Sequence, residues 1–105
     1  MMKMLISLDE EKILNDGIYD LEYMWKLIDE RFAEQKCVKE VQADDSVIYK
    51  GNPQRRDNFS AFGVLCKFLN NENWFVDNCK ICKLFEEFEN TQYSISVDCL
   101  VRSSV

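Results

Sequence analysis

The clearest pattern along the chain is helical. Leu21, Trp25, Ile28 and Phe32 fall at i, i+4, i+7 and i+11, and Met24 and Leu27 widen the stripe. That spacing places them on one face of an α-helix. Asp20 stands where an N-cap belongs, Glu22 and Lys26 form a favourable i,i+4 pair, and nothing inside the segment breaks a helix. A long amphipathic helix is expected over Leu21 to Gln35. Upstream, Ser7-Leu8-Asp9-Glu10 reads as a capping box, with Ser7 as N-cap and Glu10 reaching back to it. It predicts a short helix from Leu8 to Asp16, stopped by Gly17. Met1 to Leu8 is otherwise a short apolar patch.

Beyond this the period shortens to two. Cys37 to Gln42 and Val47 to Lys50 are short β-type runs, separated by the polar turn Ala43-Asp44-Asp45-Ser46. Aspartates suit such a turn because they bond their own backbone and tolerate the left-handed conformation. A hairpin over 37–50 is expected, ending at Gly51. A hairpin alone is barely stable in water, so it must pack on the helices or gain another strand.

The segment from Gly51 to Asn58 is loop-like, and Asp57 or Asn58 can cap a second helix over Phe59 to Asn70. Phe59, Phe62, Cys66 and Leu69 form its expected stripe, with Leu65 beside them. Gly63 inside this helix marks a place where another element would pack close to the backbone. After the break at 70–73, a helix is expected from Trp74 to Lys80. The stretch 80–100 stays open: Lys80 to Phe85 fits helical spacing or a strand paired with the hairpin. Tyr93, Ile95 and Val97 alternate with Ser94, Ser96 and Asp98 as in a strand, although Ser96 could instead cap a short helix. Arg102 to Val105 are expected to fray.

Composition supports one folded domain over 1–105. Of its 105 residues, 47% are apolar and 12% aromatic, with three glycines and one proline, the opposite of a disordered chain. No secretory leader is visible, and the longest apolar run, Ala61 to Cys66, is far too short for a membrane span. An odd count of five cysteines cannot close into a complete disulfide set. These points predict a cytoplasmic protein with reduced thiols. Net charge is −6, unevenly spread. Residues 1–35 hold nine acids against four bases, 36–85 six against eight, and 86–105 four against one. This balance makes a phosphate backbone an unfavourable partner.

Chemistry-bearing motifs are few. The chain has no histidine, which excludes Ser-His-Asp and Cys-His arrangements and His-bearing metal sites. Gly17, Gly51 and Gly63 are too far apart for a phosphate-cradling loop. Cys79-Lys80-Ile81-Cys82 has the spacing of half a zinc site or a redox pair. Only the isolated Cys37, Cys66 and Cys99 remain to complete it, and the pair sits within an apolar pattern. Buried structural thiols are therefore the expected reading, and no cofactor is implied. The acid runs at 9–11, 29–30, 44–45 and 86–87 are expected to form solvated faces. Lys50, Arg55 and Arg56, with Tyr49 and Phe59, make a small basic and aromatic loop, where a phosphate would sit if one bound; nucleic acid is not the expected partner. Trp25 belongs to the core stripe. Trp74 and Phe75 are adjacent and cannot share one helix face, so one is expected at the surface, where exposed aromatics mark contacts.

The runs Tyr19 to Glu30, Val38 to Gln42 with Asp44 to Val47, and Trp74-Phe75 followed by Asn78-Cys79 resemble small uncharacterised accessory proteins of gut-associated Gram-positive bacteria, often carried near mobile elements. The likeness spans about residues 4–80 and rests on general pattern. Where that group often has Gly in the hairpin turn, this chain has Asp45. The resemblance implies a bacterial, cytosolic accessory protein and assigns no residue a role.

The expectation is thus an α+β fold: a long amphipathic helix and one or two shorter ones packed on a small antiparallel sheet built around the 37–50 hairpin. The function expected is a non-catalytic protein-binding accessory module, alone or as a homodimer. Its candidate contacts are Trp74, Phe75, Arg55 and Arg56. Two alternatives are an acidic inhibitor of a defence or nucleic-acid enzyme, and a thiol or zinc protein using Cys79 and Cys82.

Overall fold

The structure is a computed structural model that describes residues 2–52, 54, 58–87 and 94–100. The elements are β1 (Met2–Leu8), α1 (Glu10–Asp16), α2 (Leu21–Glu34), β2 (Val38–Val41), β3 (Val47–Lys50), α3 (Asn58–Asn70), α4 (Asn73–Val76), β4 (Cys79–Glu87) and β5 (Ser94–Asp98). The strands form one five-stranded sheet in the order β2-β3-β1-β4-β5. Every neighbouring pair is antiparallel. The fold class is α+β, as expected. The first four strands follow the split βαβ order of a ferredoxin-like sheet, with β5 added at one edge.

The centre of this sheet is the strand that the sequence reading missed. β1 pairs with β3 on one side and with β4 on the other. Its Met4, Ile6 and Leu8 are buried, while Lys3, Leu5 and Ser7 alternate on the opposite face. The hairpin β2–β3 exists in the predicted place, yet it occupies an edge. Ser7 is not an N-cap, because it lies in the ladder opposite Ile81. Asp9 caps α1 instead, accepting from the Lys12 backbone N–H at 3.2 Å. Gly17, at φ 63°, ends α1 in the left-handed conformation that glycine adopts without a Cβ penalty.

α2 matches its prediction to within a residue. The Asp20 carboxylate accepts from the backbone N–H groups of Glu22 and Tyr23, and Met24, Ile28 and Phe32 are buried. α3 buries Ala61, Phe62, Leu65 and Leu69. Two expectations for α3 are corrected. Phe59, in its first turn, is exposed instead of lying in the stripe. A Cβ added to Gly63 would meet nothing within 4 Å, so no element among the described residues packs against it. Among the described residues three helices accompany α2, one more than the upper expectation.

The helix expected over Trp74 to Lys80 stops at Val76. The buried Asn78 donates to the Trp74 carbonyl at 2.8 Å, and Cys79 already pairs with Leu8. Within the open stretch, 80–87 and 94–98 are strand: β4 pairs with β1 and β5, not with the hairpin, and Ser96 lies inside β5, while 88–93 lie outside the described residues. Tyr93 and 102–105 lie outside the described residues.

The core sits between the sheet and the helices. Phe32 stacks on Tyr49 with centroids 4.0 Å apart and tilts against Phe62 at 6.4 Å, which ties α2, β3 and α3 together. The Tyr49 hydroxyl donates to Asp29, whose other oxygen accepts from Lys39 Nζ at 2.8 Å. Arg31 lies 4.5 Å over the Phe68 ring, a second bridge from α2 to α3. In the hairpin turn, Asp44 accepts from the Ser46 N–H and hydroxyl, and Asp45 takes φ 68°. These bonds hold the Asp44 carboxyl below its usual range.

Candidate functional site

Two places among the described residues stand out: one includes Cys79 and Cys82, which the sequence singled out, and the other involves none of the predicted contact residues. Of the predicted contact residues, Arg55 and Arg56 lie outside the described residues. Phe75 is fully buried, so it belongs to the core and offers no contact surface. Trp74 packs on it edge to face at 6.0 Å and is half-buried. Its indole N–H donates to Glu72 Oε2 at 2.8 Å. Trp25 packs against the core, as expected.

The first place is the corner where α1 turns into α2. Leu14, Ile18, Tyr19 and Tyr23 are exposed by 69%, 73%, 42% and 57%. They arise from simple local rules. A helix of seven residues buries one stripe, and in α1 that stripe is Ile13, so its neighbour Leu14 faces out. Gly17 ends α1 and Asp20 begins α2, so Ile18 and Tyr19 lie on the connection, where side chains meet solvent. Ile18 and Tyr19 form part of a hollow of about 150 Å³ floored by Ile13 and closed by Asp77 and Asn78. Two bonds hold its wall. The Asp9 N–H donates to the Asn78 carbonyl at 2.8 Å, and Lys12 Nζ donates to the Asp77 carbonyl at 2.6 Å. The surrounding charge is acidic: between residues 9 and 23 stand Asp9, Glu10, Glu11, Asp16, Asp20 and Glu22 against Lys12 alone. This surface was missed, although the adjacent Ile13-Leu14 and the apolar pair between Gly17 and Asp20 signal it.

The acids of α2 do not continue this surface as an unbroken stripe. Lys26 and Arg31 interrupt them, and Asp29 is bound by Lys39 and Tyr49. On the far side of the sheet, away from the helices, Leu5 lies between Ile48 and Lys83, and Lys3 between Lys50 and Phe85. There Lys50 pairs with Glu40 and holds its carboxyl below the usual range.

The second place is a group of thiols. Cys79 and Cys82 are both buried on the helix side of β4. An i,i+3 pair in a regular strand would point to opposite faces. The register shift at Ser7/Leu8 inserts one extra residue between them and brings both to the same face. Cys79 Sγ approaches the carbonyls of Ile81 and Ser7 at 3.2 and 3.6 Å. Cys82 Sγ lies 4.0 Å from Met4 Sδ, and Cys99 Sγ lies 3.9 Å from the Val97 carbonyl. Neighbouring thiols (Cys79 and Cys99 for Cys82, Cys99 for Cys66), and then burial, push the Cys82 and Cys66 thiols far up. None of the five cysteines is in a disulfide. Among the described residues, no three His, Cys, Asp or Glu side chains are grouped as a metal centre requires.

No helix among the described residues is long and apolar enough to cross a membrane. No family model matches the chain, and neither does any curated protein or solved structure.

Proposed function

We propose that this chain is a non-catalytic protein-binding module whose contact site is the α1–α2 corner. One observation carries the reading: Leu14, Ile18, Tyr19 and Tyr23 are exposed within a ten-residue span, Ile18 and Tyr19 line a hollow, and the charges of residues 9–23 are acidic but for Lys12. Scattered exposed apolar residues are ordinary, whereas a cluster rimmed by polar groups marks a contact surface. Tyrosine is enriched in such surfaces, and an apolar anchor seated in a hollow supplies much of their binding energy.

The chemistry selects the partner. The hollow takes one large apolar side chain, and the surrounding carboxylates favour lysine or arginine on either side of it. The partner is therefore a protein segment with an apolar anchor between basic residues. A second copy of the chain fits this corner poorly, because carboxylates would face carboxylates in a protein of net charge −6.

The test is affinity capture followed by titration of the identified partner. Ile18→Ser is expected to weaken binding at least tenfold, and Leu14→Ser or Tyr23→Ser less. Raising salt from about 50 to 300 mM is expected to weaken it further, since exposed complementary charges are screened. Thermal stability should barely change, because these residues are exposed. Binding that survives both Ile18→Ser and high salt places the contact elsewhere. Binding that is lost in salt but indifferent to Ile18→Ser points to the alternative, an acidic inhibitor of an enzyme that acts on nucleic acid.

A further inference from the structure

The edge of the sheet at β2 has free backbone groups, and their direction can be read from the ladder. The Gln42 N–H donates to the Ser46 carbonyl at 2.8 Å, one step beyond the pair Val41–Val47. Hydrogen-bonded pairs alternate along an antiparallel ladder, so Glu40 and Val38 bond inward to Ile48 and Lys50. Lys39 and Val41 therefore turn their N–H and C=O groups outward, where no strand pairs among the described residues. All four residues of β2 are exposed, Val41 by 61%. A lysine often guards such an edge. The lysine here is drawn back, with Lys39 Nζ donating to Asp29 Oδ2 at 2.8 Å.

Beside this edge, between β2 and α2, runs a groove of about 570 Å³. Lys39 and Val41 lie opposite the buried Tyr49 and Val47, so their side chains are on the helix side, and both line the groove. Trp25 and Val47 complete its apolar lining. Its charged lining is five carboxylates against two lysines, and Asp29 and Lys39 neutralise each other. Among the described residues Glu22, Glu30 and Asp45 have no ion-pair partner. None of the four exposed apolar residues of the corner lines this groove, so the two sites stand independently.

We propose that β2 and its groove receive an extended segment of a partner protein, which joins the sheet as a sixth, antiparallel strand and places basic side chains in the groove. Two residues of the segment, with one between them, face Lys39 and Val41 and exchange backbone hydrogen bonds with them. Directly opposed residues share a face of a sheet, so both side chains point to the helix side. The residue between them faces the other side, opposite Glu40. Arginine suits the two groove positions. Its guanidinium stacks on aromatic rings and binds carboxylates, and Trp25 and the unpaired carboxylates line the same space. A second copy of β2 fits badly. Two-fold pairing centred on the strand sets Lys39 opposite Lys39 or Glu40 opposite Glu40.

The probe is the acetylated peptide Thr-Val-Arg-Val-Arg-Val-Thr, titrated into the full chain and followed by backbone amide NMR. Saturable shifts are expected at Lys39, Glu40 and Val41 and at the Trp25 indole, with slowed hydrogen exchange at the Lys39 and Val41 amides. Methylating the backbone nitrogen of either arginine removes a donor that faces β2, and should weaken binding at least about tenfold. Methylating the central valine, whose N–H faces away, should change it less than about twofold. Val41→Pro removes an outward donor and leaves the ladder to β3 intact, so it too should weaken binding. Equal affinity of the two methylated peptides would reduce the contact to charge alone and overturn the proposal, as would the reverse order. So would shifts confined to the α1–α2 corner, or no saturable shift up to about 1 mM peptide. The peptide series decides the matter on the wild-type chain, whether or not Val41→Pro folds.

Discussion

α2 and α3 are nearly the same length and are bridged by the Phe32–Phe62 and Arg31–Phe68 contacts, but they meet water differently. Of the fourteen residues of α2, six are charged. Of the thirteen of α3, only Lys67 is. Their inner sides are alike: Met24, Ile28 and Phe32 against Ala61, Phe62, Leu65 and Leu69. Their outer sides differ, since α3 turns Phe59 and Val64 to solvent at 79% and 60% exposure. The inner face therefore decides where a helix docks, and the outer face is free to carry other information. α2 spends that freedom on charge, which makes its amphipathic period easy to read. α3 does not, which is why the predicted stripe of α3 wrongly included Phe59.

The largest effects test the shared inner side. Phe32→Ala and Phe62→Ala each remove a buried ring, and each should cost about 3–5 kcal/mol. Chemical denaturation measures both. Phe32→Ala should be the larger, because its ring also stacks on Tyr49. If either loss fell below about 1 kcal/mol, the two inner faces would not be equivalent anchors.

Next comes a charge on α2 that reaches inward. Asp29 accepts the hydroxyl of buried Tyr49 and also pairs with Lys39. Asp29→Ala strands that hydroxyl and should cost about 1.5–3 kcal/mol. The same contact sets a pH dependence. Burial, then Asp29, push the Tyr49 phenol far above its ordinary value of 10. The unfolded phenol ionises near pH 10 while the folded one keeps its proton, so the unfolded state binds fewer protons there. Stability is fully present below about pH 10 and falls as pH rises beyond it. Tyr49→Phe should make that alkaline decline shallower, as read from melting temperatures between about pH 8 and 11.

The same contrast explains what was legible in the sequence. α2 and the hairpin are local patterns, with period, cap and turn chemistry lying within a few residues of one another. β1 was hidden because Leu5 fills an outward position of its alternation, and because the Ser7–Glu10 capping-box pattern drew the helix start two residues too early. Its central position depends on pairing with segments some forty and eighty residues away. The thiol group was hidden for the same reason. Cys79 and Cys82 share a face only through the sheet register, and the bulge at Lys80 that puts them there leaves no mark in the local pattern. The exposed corner was within reach of sequence reasoning, since two adjacent apolar residues in a one-stripe helix cannot both be buried.

The smallest effect concerns the outer side of α3. Gly63 is exposed in mid-helix with open space where a Cβ would go. A glycine there keeps more freedom in the unfolded chain than alanine and lowers helix propensity, so Gly63→Ala should stabilise by about 0.5–1 kcal/mol. Phe59→Ser, one turn earlier, should change stability by less than about 0.5 kcal/mol, because the ring is already in water. Together the pair asks whether the outer face of α3 is empty in solution. If Gly63→Ala destabilised the chain and Phe59→Ser did so by more than about 1 kcal/mol, something must cover that face. The contrast with α2 would then be one of occupancy, with α3 lacking charge because it is not a solvent surface at all.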